Sequence, residues 1–153
     1  MKITEALLAE HVVFHNLFDY VERTTPKLRT LAEVRVLADY FSEFALHRYR
    51  LLVEVEYLIA QIAVLGRAEA LDPLAFDRLR SLVASFGPED AANVRERERR
   101  TNHDVKAVEY FIKEKLDELN LQSVKEFVHF GLTSQDVNNT SIPWSLKDFL
   151  HGH

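Results

Sequence analysis

The chain has 153 residues, of which 47% are hydrophobic and 28% charged, and a formal net charge of −5 with histidine neutral. That length suits a single domain burying about two-thirds of its unfolded surface, and the acidic balance, with no face carrying a basic excess, argues against a nucleic-acid partner. With no cysteine there are no disulfides, thiolate metal sites or cysteine nucleophiles; no secretory signal or bilayer-length apolar run is visible, so a cytoplasmic protein without a membrane partner is expected.

Four glycines and four prolines favour long helices over many short strands. The expected fold is all-α, a helical bundle of six or seven helices organised as one domain over residues 1–153. A first helix is read at Thr4–Glu22, where Leu7, Leu8, Val12, Leu17, Phe18 and Val21 recur near a helical period. Thr24-Thr25-Pro26 stops it, because the residue before proline avoids the α region and proline has no N–H to donate. Thr30-Leu31-Ala32-Glu33 is a capping-box pattern, and nothing breaks a helix from there to Leu65. Gly66 is placed to end it. The result is one long helix over about residues 30–65, roughly 50 Å at 1.5 Å per residue, which needs another segment or subunit to lie along.

Asp72-Pro73 opens a short helix to Phe86, and Gly87-Pro88 closes it. Glu89-Asp90 then start a helix with acids at its positive end. That helix carries Arg95–Arg100 (RERERR), read as a solvated face of i,i+3 and i,i+4 pairs in preference to an anion-binding strip. Val105, Val108, Phe111, Ile112, Leu116 and Leu119 stripe a helix ending near Asn120. A shorter helix covers Ser123–Phe130, and a final one starts at Thr133–Asp136 and contains Pro143, which should kink it.

Two polar clusters stand at helix beginnings, Thr101-Asn102-His103-Asp104 and Thr133-Ser134-Gln135-Asp136. Unpaired backbone N–H groups and the helix dipole attract anions there. Taken singly, each cluster reads as a cap: Thr133 with Asp136 fits the capping box, and Thr101 with Asp104 nearly does. A cap needs two polar residues, however, and each cluster has four in succession. Asn138, Asn139, Thr140 and Ser141 extend the second further. A ligand with carboxylate or phosphate groups suits such donors, with His103 available for charge or proton transfer. Asp104 and Asp136 would repel that ligand unless turned into the caps.

These residues carry a resemblance. TNHDVKAVEYF (Thr101–Phe111) and EFVHFGLTSQDVNN (Glu126–Asn139) are similar to adenylosuccinate lyase, of the fumarase/aspartase superfamily. FSEFALHRYRLLVEVEYL (Phe41–Leu58) resembles the long early helix of those enzymes. The similarity runs from about Ala38 to about Leu150, so residues 38–153 form an adenylosuccinate-lyase-like segment. The resemblance implies a β-elimination releasing fumarate in purine biosynthesis, with a base removing a proton beside a carboxylate and an acid protonating the leaving nitrogen. It implies that Asn102, His103 and Asp104 line the pocket, and that Thr133, Ser134, Gln135 and Asp136 hold the succinyl carboxylates of a small anionic substrate such as adenylosuccinate. Many family members have Glu where Gln135 stands. It also implies a homo-oligomer, since the family builds each site from three subunits of a tetramer.

The family's catalytic histidine lies in a Thr-His-Gly stretch and its catalytic serine in a Ser-Ser-x-Met-Pro-x-Lys-x-Asn-Pro loop. Neither motif occurs here, nor does the family's early Asp-Gly-Arg-Tyr element. The expectation is therefore a fragment that keeps substrate contacts but lacks the acid and base, inactive alone and without a cofactor.

Residues 1–37 differ. Ile3–Glu22 resembles the first helix of bacterial hemerythrin-like domains, which implies His11 as an iron ligand with His15 one turn along and His47 on the second helix. The alternatives are therefore a hemerythrin-like bundle binding non-haem iron, or a structural chimera without activity. Two amphipathic histidines on a half-buried helix explain the same pattern without a metal, and a di-iron site needs about five to seven convergent ligands.

Overall fold

The computed structural model of the protein describes residues 30–31, 43–67 and 71–152. The helix read at Thr4–Glu22 and its stop at Thr24-Thr25-Pro26 lie outside the described residues. Thr30 lies in a bend and Leu31 is helical; residues 32–42, which hold the rest of the capping box and the first part of the expected long helix, lie outside the described residues. Residues Glu43–His153 form one unit, made among its described residues of helices and turns.

Helix α1 (Glu43–Val64) is the axis on which the other elements of this unit pack. Leu51, Val55, Leu58 and Ile62 recur every three or four residues and are fully buried, each burial contributing about 1.5–3 kcal/mol. Its end follows from Gly66. The glycine takes φ +64°, a left-handed conformation that a side chain disfavours. That turn lets Arg67 N–H reach the Ile62 carbonyl at 3.0 Å and Gly66 N–H the Ala63 carbonyl at 3.2 Å, which satisfies carbonyls the helix would leave unpaired.

Helix α2 (Ala75–Ser85) starts later than Asp72-Pro73 suggests. Asp72 accepts from Leu74 N–H through its carboxylate at 2.7 Å and from Ala75 N–H through its carbonyl at 2.8 Å. A turn thus precedes the helix. Ala75, Leu79 and Val83 face inward, and Phe86 beyond the helix meets the Phe111 ring edge-on at 5.7 Å. Helix α3 (Pro88–Thr101) begins at the proline that also halts α2. At the first helical position its missing N–H costs nothing, and Gly87 N–H donates to Asp90 at 3.0 Å.

Helix α4 (Asp104–Glu118) buries Val105, Val108, Phe111, Ile112 and Leu116, the stripe visible in the sequence. The segment read as a helix over Ser123–Phe130 is instead a 3₁₀ helix, Gln122–Phe127, followed by a turn. The i,i+3 bonds Val124 to Leu121 and Val128 to Lys125 tighten the chain, and His129 then turns it with φ +62°. Helix α5 (Ser134–Gly152) runs through Pro143 without dividing in two. None of the helices searched among the described residues is long and apolar enough to cross a membrane.

Candidate functional site

The site is built on an ionisable stripe along the core face of α1. His47, Arg50 and Glu54 stand three and four residues apart, and all three are buried, which requires partners for the charges. Arg50, 8% exposed, reaches two elements at once. Its Nε donates to Asn138 Oδ1 on α5 at 2.9 Å, and its Nη2 lies 2.6 Å from Asp104 Oδ2 at the start of α4. His47 Nε2 lies 3.6 Å from Glu98 Oε2 of α3.

Above Arg50 the two polar clusters meet. Thr101 closes α3, with Oγ1 3.0 Å from the Arg97 carbonyl and 3.1 Å from that of His103. Asn102 adopts φ +50° and donates its N–H to the Glu98 carbonyl at 2.7 Å. The cap of α4 is therefore His103, not Thr101: its Nδ1 accepts the Lys106 N–H at 3.0 Å. An accepting Nδ1 holds no proton, so the neutral ring carries its hydrogen on Nε2. That nitrogen lies 3.1 Å from Ser134 Oγ. The beginnings of α4 and α5, each with the positive end of a dipole, are thus joined by one side-chain contact.

At the start of α5 the capping box read from the sequence is present. Thr133 donates its N–H and its hydroxyl to Asp136 Oδ2, both at 2.7 Å, and Asp136 N–H returns to Thr133 Oγ1 at 3.4 Å. The Thr133 N–H, then its hydroxyl, hold the Asp136 carboxyl below the usual range and turned to the cap. Asp104 is neutralised by Arg50. Both acids that would have repelled an anionic ligand are therefore engaged. Ser134 remains at the junction and Gln135 is exposed beside it, its amide donating to Asn139 Oδ1 at 2.7 Å.

Deeper along α1, Glu54 is fully buried, with Oε1 2.5 Å from His129 Nδ1. Burial raises its carboxyl pKa above the usual range against the opposing pull of His129. Nearby Glu109 is also buried. Its desolvation is outweighed by the ammonium groups of Lys106 at 2.7 Å and Lys113 at 2.9 Å, which hold it below the usual range.

Residues 40–152 match the protein family described as lyase. The chain belongs to the lyase family. Curated relatives of this lyase chain include the adenylosuccinate lyase of Dictyostelium discoideum, 47% identical over 78% of this chain and 27% of its own length. That of Escherichia coli K12 is 47% identical over 75% of this chain and 26% of its own. That of Legionella pneumophila Corby is 41% identical over 80% and 27%. The lyase chain spans about a quarter of the length of these relatives. The match begins at residue 40, close to Ala38, from which the resemblance runs.

These matches name lyases and lend no support to the hemerythrin-like alternative. His11 and His15 lie outside the described residues. His47 faces Glu98, and among the described residues no group of three or more His, Asp or Glu could hold a metal ion. In the Arg95–Arg100 run the expected lacing holds at Glu96, which accepts from Arg99 at 3.3 Å and from Arg100 at 3.0 Å, whereas Arg97 pairs with Glu114 on α4 and Glu98 with His47 on α1.

Sequence reasoning missed Arg50, Glu54 and His129 as parts of this assembly. A signal existed for the first two, since two ionisable residues at i,i+4 on the face of Leu51, Val55 and Leu58 must find buried partners. For His129 the sequence held none.

Proposed function

We propose that this chain supplies the substrate-contacting N-terminal segment of an adenylosuccinate-cleaving lyase. The observation that carries the reading is the 3.1 Å contact between His103 Nε2 and Ser134 Oγ, which brings two donor-rich helix beginnings to one place. Ser134, Gln135 and Asn102 offer hydroxyl and amide donors to the succinyl carboxylates. His103 presents Nε2 to the same ligand. Thr133, Asp104 and Asp136 shape the site through the caps and the Arg50 pair. The names of the relatives support adenylosuccinate as the substrate.

Titrating adenylosuccinate into the chain while recording NMR spectra tests this directly. Saturable shifts confined to the signals of Asn102, His103 and Ser134–Gln135 are expected. No shift, or shifts spread over the surface, would defeat the reading. The 153 residues contain neither the Thr-His-Gly stretch nor the serine-loop motif of the family, so no fumarate release is expected from the chain by itself. Measurable release would place the acid and base among residues named here. The same reading expects self-association. Val64, Leu74 and Phe130 are exposed apolar side chains that a second copy would cover, and light scattering giving a clean monomer at high concentration would count against it.

A further inference from the structure

We infer that Arg50 is the positioning residue that sets the spacing between the two ligand-facing clusters. The inference rests on the reading of those clusters as an anion site and adds a residue that contacts no ligand itself. Asp104 directly follows His103, and Asn138 lies one helical turn beyond Ser134. The guanidinium therefore grips, from beneath, the same two helix beginnings that the His103–Ser134 contact joins at the surface.

Three features make it a spacer rather than a generic buried charge. Its two bonds leave from different nitrogens, Nε to Asn138 at 2.9 Å and Nη2 to Asp104 at 2.6 Å. A planar fork fixes the angle between them. Its acceptors belong to different helices, so neither α4 nor α5 can shift without losing one bond. At 8% exposure its desolvation is unfavourable, and an apolar side chain of similar volume would often stabilise a core as well. Stability alone gives no reason for an arginine here, whereas fixed geometry does. The link also sets a positive charge against Asp104 Oδ2, while its Oδ1 accepts the Val105 N–H at 2.8 Å.

The experiment compares the whole chain with Arg50→Lys and with Asn138→Ala, reading thermal melting, adenylosuccinate affinity and the NOE between the His103 ring and Ser134. Lysine keeps the charge opposite Asp104 but not the fork. The alanine leaves Arg50 in place and removes one acceptor. Both variants are expected to melt cooperatively, to lose the NOE, and to bind about tenfold more weakly or worse, as when the support of a site is removed. Folded variants that keep both the NOE and full affinity would overturn the inference. A fall in affinity that merely tracks melting, with the NOE intact, would do the same. Should Arg50→Lys fail to fold, Asn138→Ala decides. Should the unaltered chain bind no adenylosuccinate, the proposed function falls, and the NOE in the two variants still supports or rejects the role of Arg50.

Discussion

Arginine and glutamate appear on two faces of this molecule and behave in opposite ways. On α3, Glu96 serves Arg99 and Arg100 from about one turn away on the exposed face. On α1, Arg50 and Glu54 are buried, and their partners come from residues 104, 129 and 138. Exposed pairs of the first kind gain little, because water solvates the separated charges almost as well. A buried charge stripped of its partner is left with its full desolvation penalty. The difference shows that position in the fold, not residue type, decides which charges organise the site.

The largest effect should come from Arg50→Ala, which abandons both Asp104 and Asn138 and is expected to destabilise the unit by about 3 kcal/mol, measured by urea unfolding. An unchanged midpoint would erase the contrast between the two faces. Second comes Glu54→Gln. Burial raises the folded pKa of Glu54, so the folded state holds this proton more tightly than the unfolded chain does. Glu54 therefore costs no stability below its unfolded pKa, and its cost grows as pH rises through the raised folded value. The melting temperature of Glu54→Gln should gain on the original chain from acid toward neutral pH. Parallel curves would mean that His129 fully offsets the burial.

Thr133→Ala should cost about 1 kcal/mol by removing the cap of α5. The folded pKa of Asp136 is lowered through Thr133, so this stabilisation is present above the ordinary carboxyl range and lost as pH falls through the lowered value. Alanine keeps the Thr133 N–H, the larger cause, and loses only the hydroxyl, so the variant should flatten the acid limb of a stability profile only in part. The smallest effect belongs to Glu96→Gln on the exposed lattice, where melting at physiological salt should not move. A clear loss there would show the two faces to be alike.

What was legible in the sequence follows the same division. The Thr133–Asp136 box, the α4 stripe, the Gly66 stop and the Glu96 pairs with Arg99 and Arg100 depend on neighbours along the chain, and each could be read. The start of α2 slipped because the Asp72 side chain forms a local turn before the helix. The 3₁₀ segment reads as an α-helix in the sequence because its pattern of Val124, Phe127 and Val128 suits either helix type. What decides it is the turn at His129, which directs that ring to Glu54 across 75 positions. The two polar clusters could be named from their composition. Their meeting, and the arginine beneath it, depend on how α4 and α5 settle on α1, and no local spacing encodes that.

The imidazole of His103 is tethered at one corner. Because Nδ1 is occupied by the amide of Lys106, a second hydrogen on the ring would set two donors against each other and loosen the first turn of α4. The ring is therefore open to a further hydrogen-bond partner only at the corner that faces Ser134. Under the proposed function, a carboxylate reaching that corner shares or displaces the serine hydroxyl, so ligand binding and the hydrogen bonding of that serine should change together.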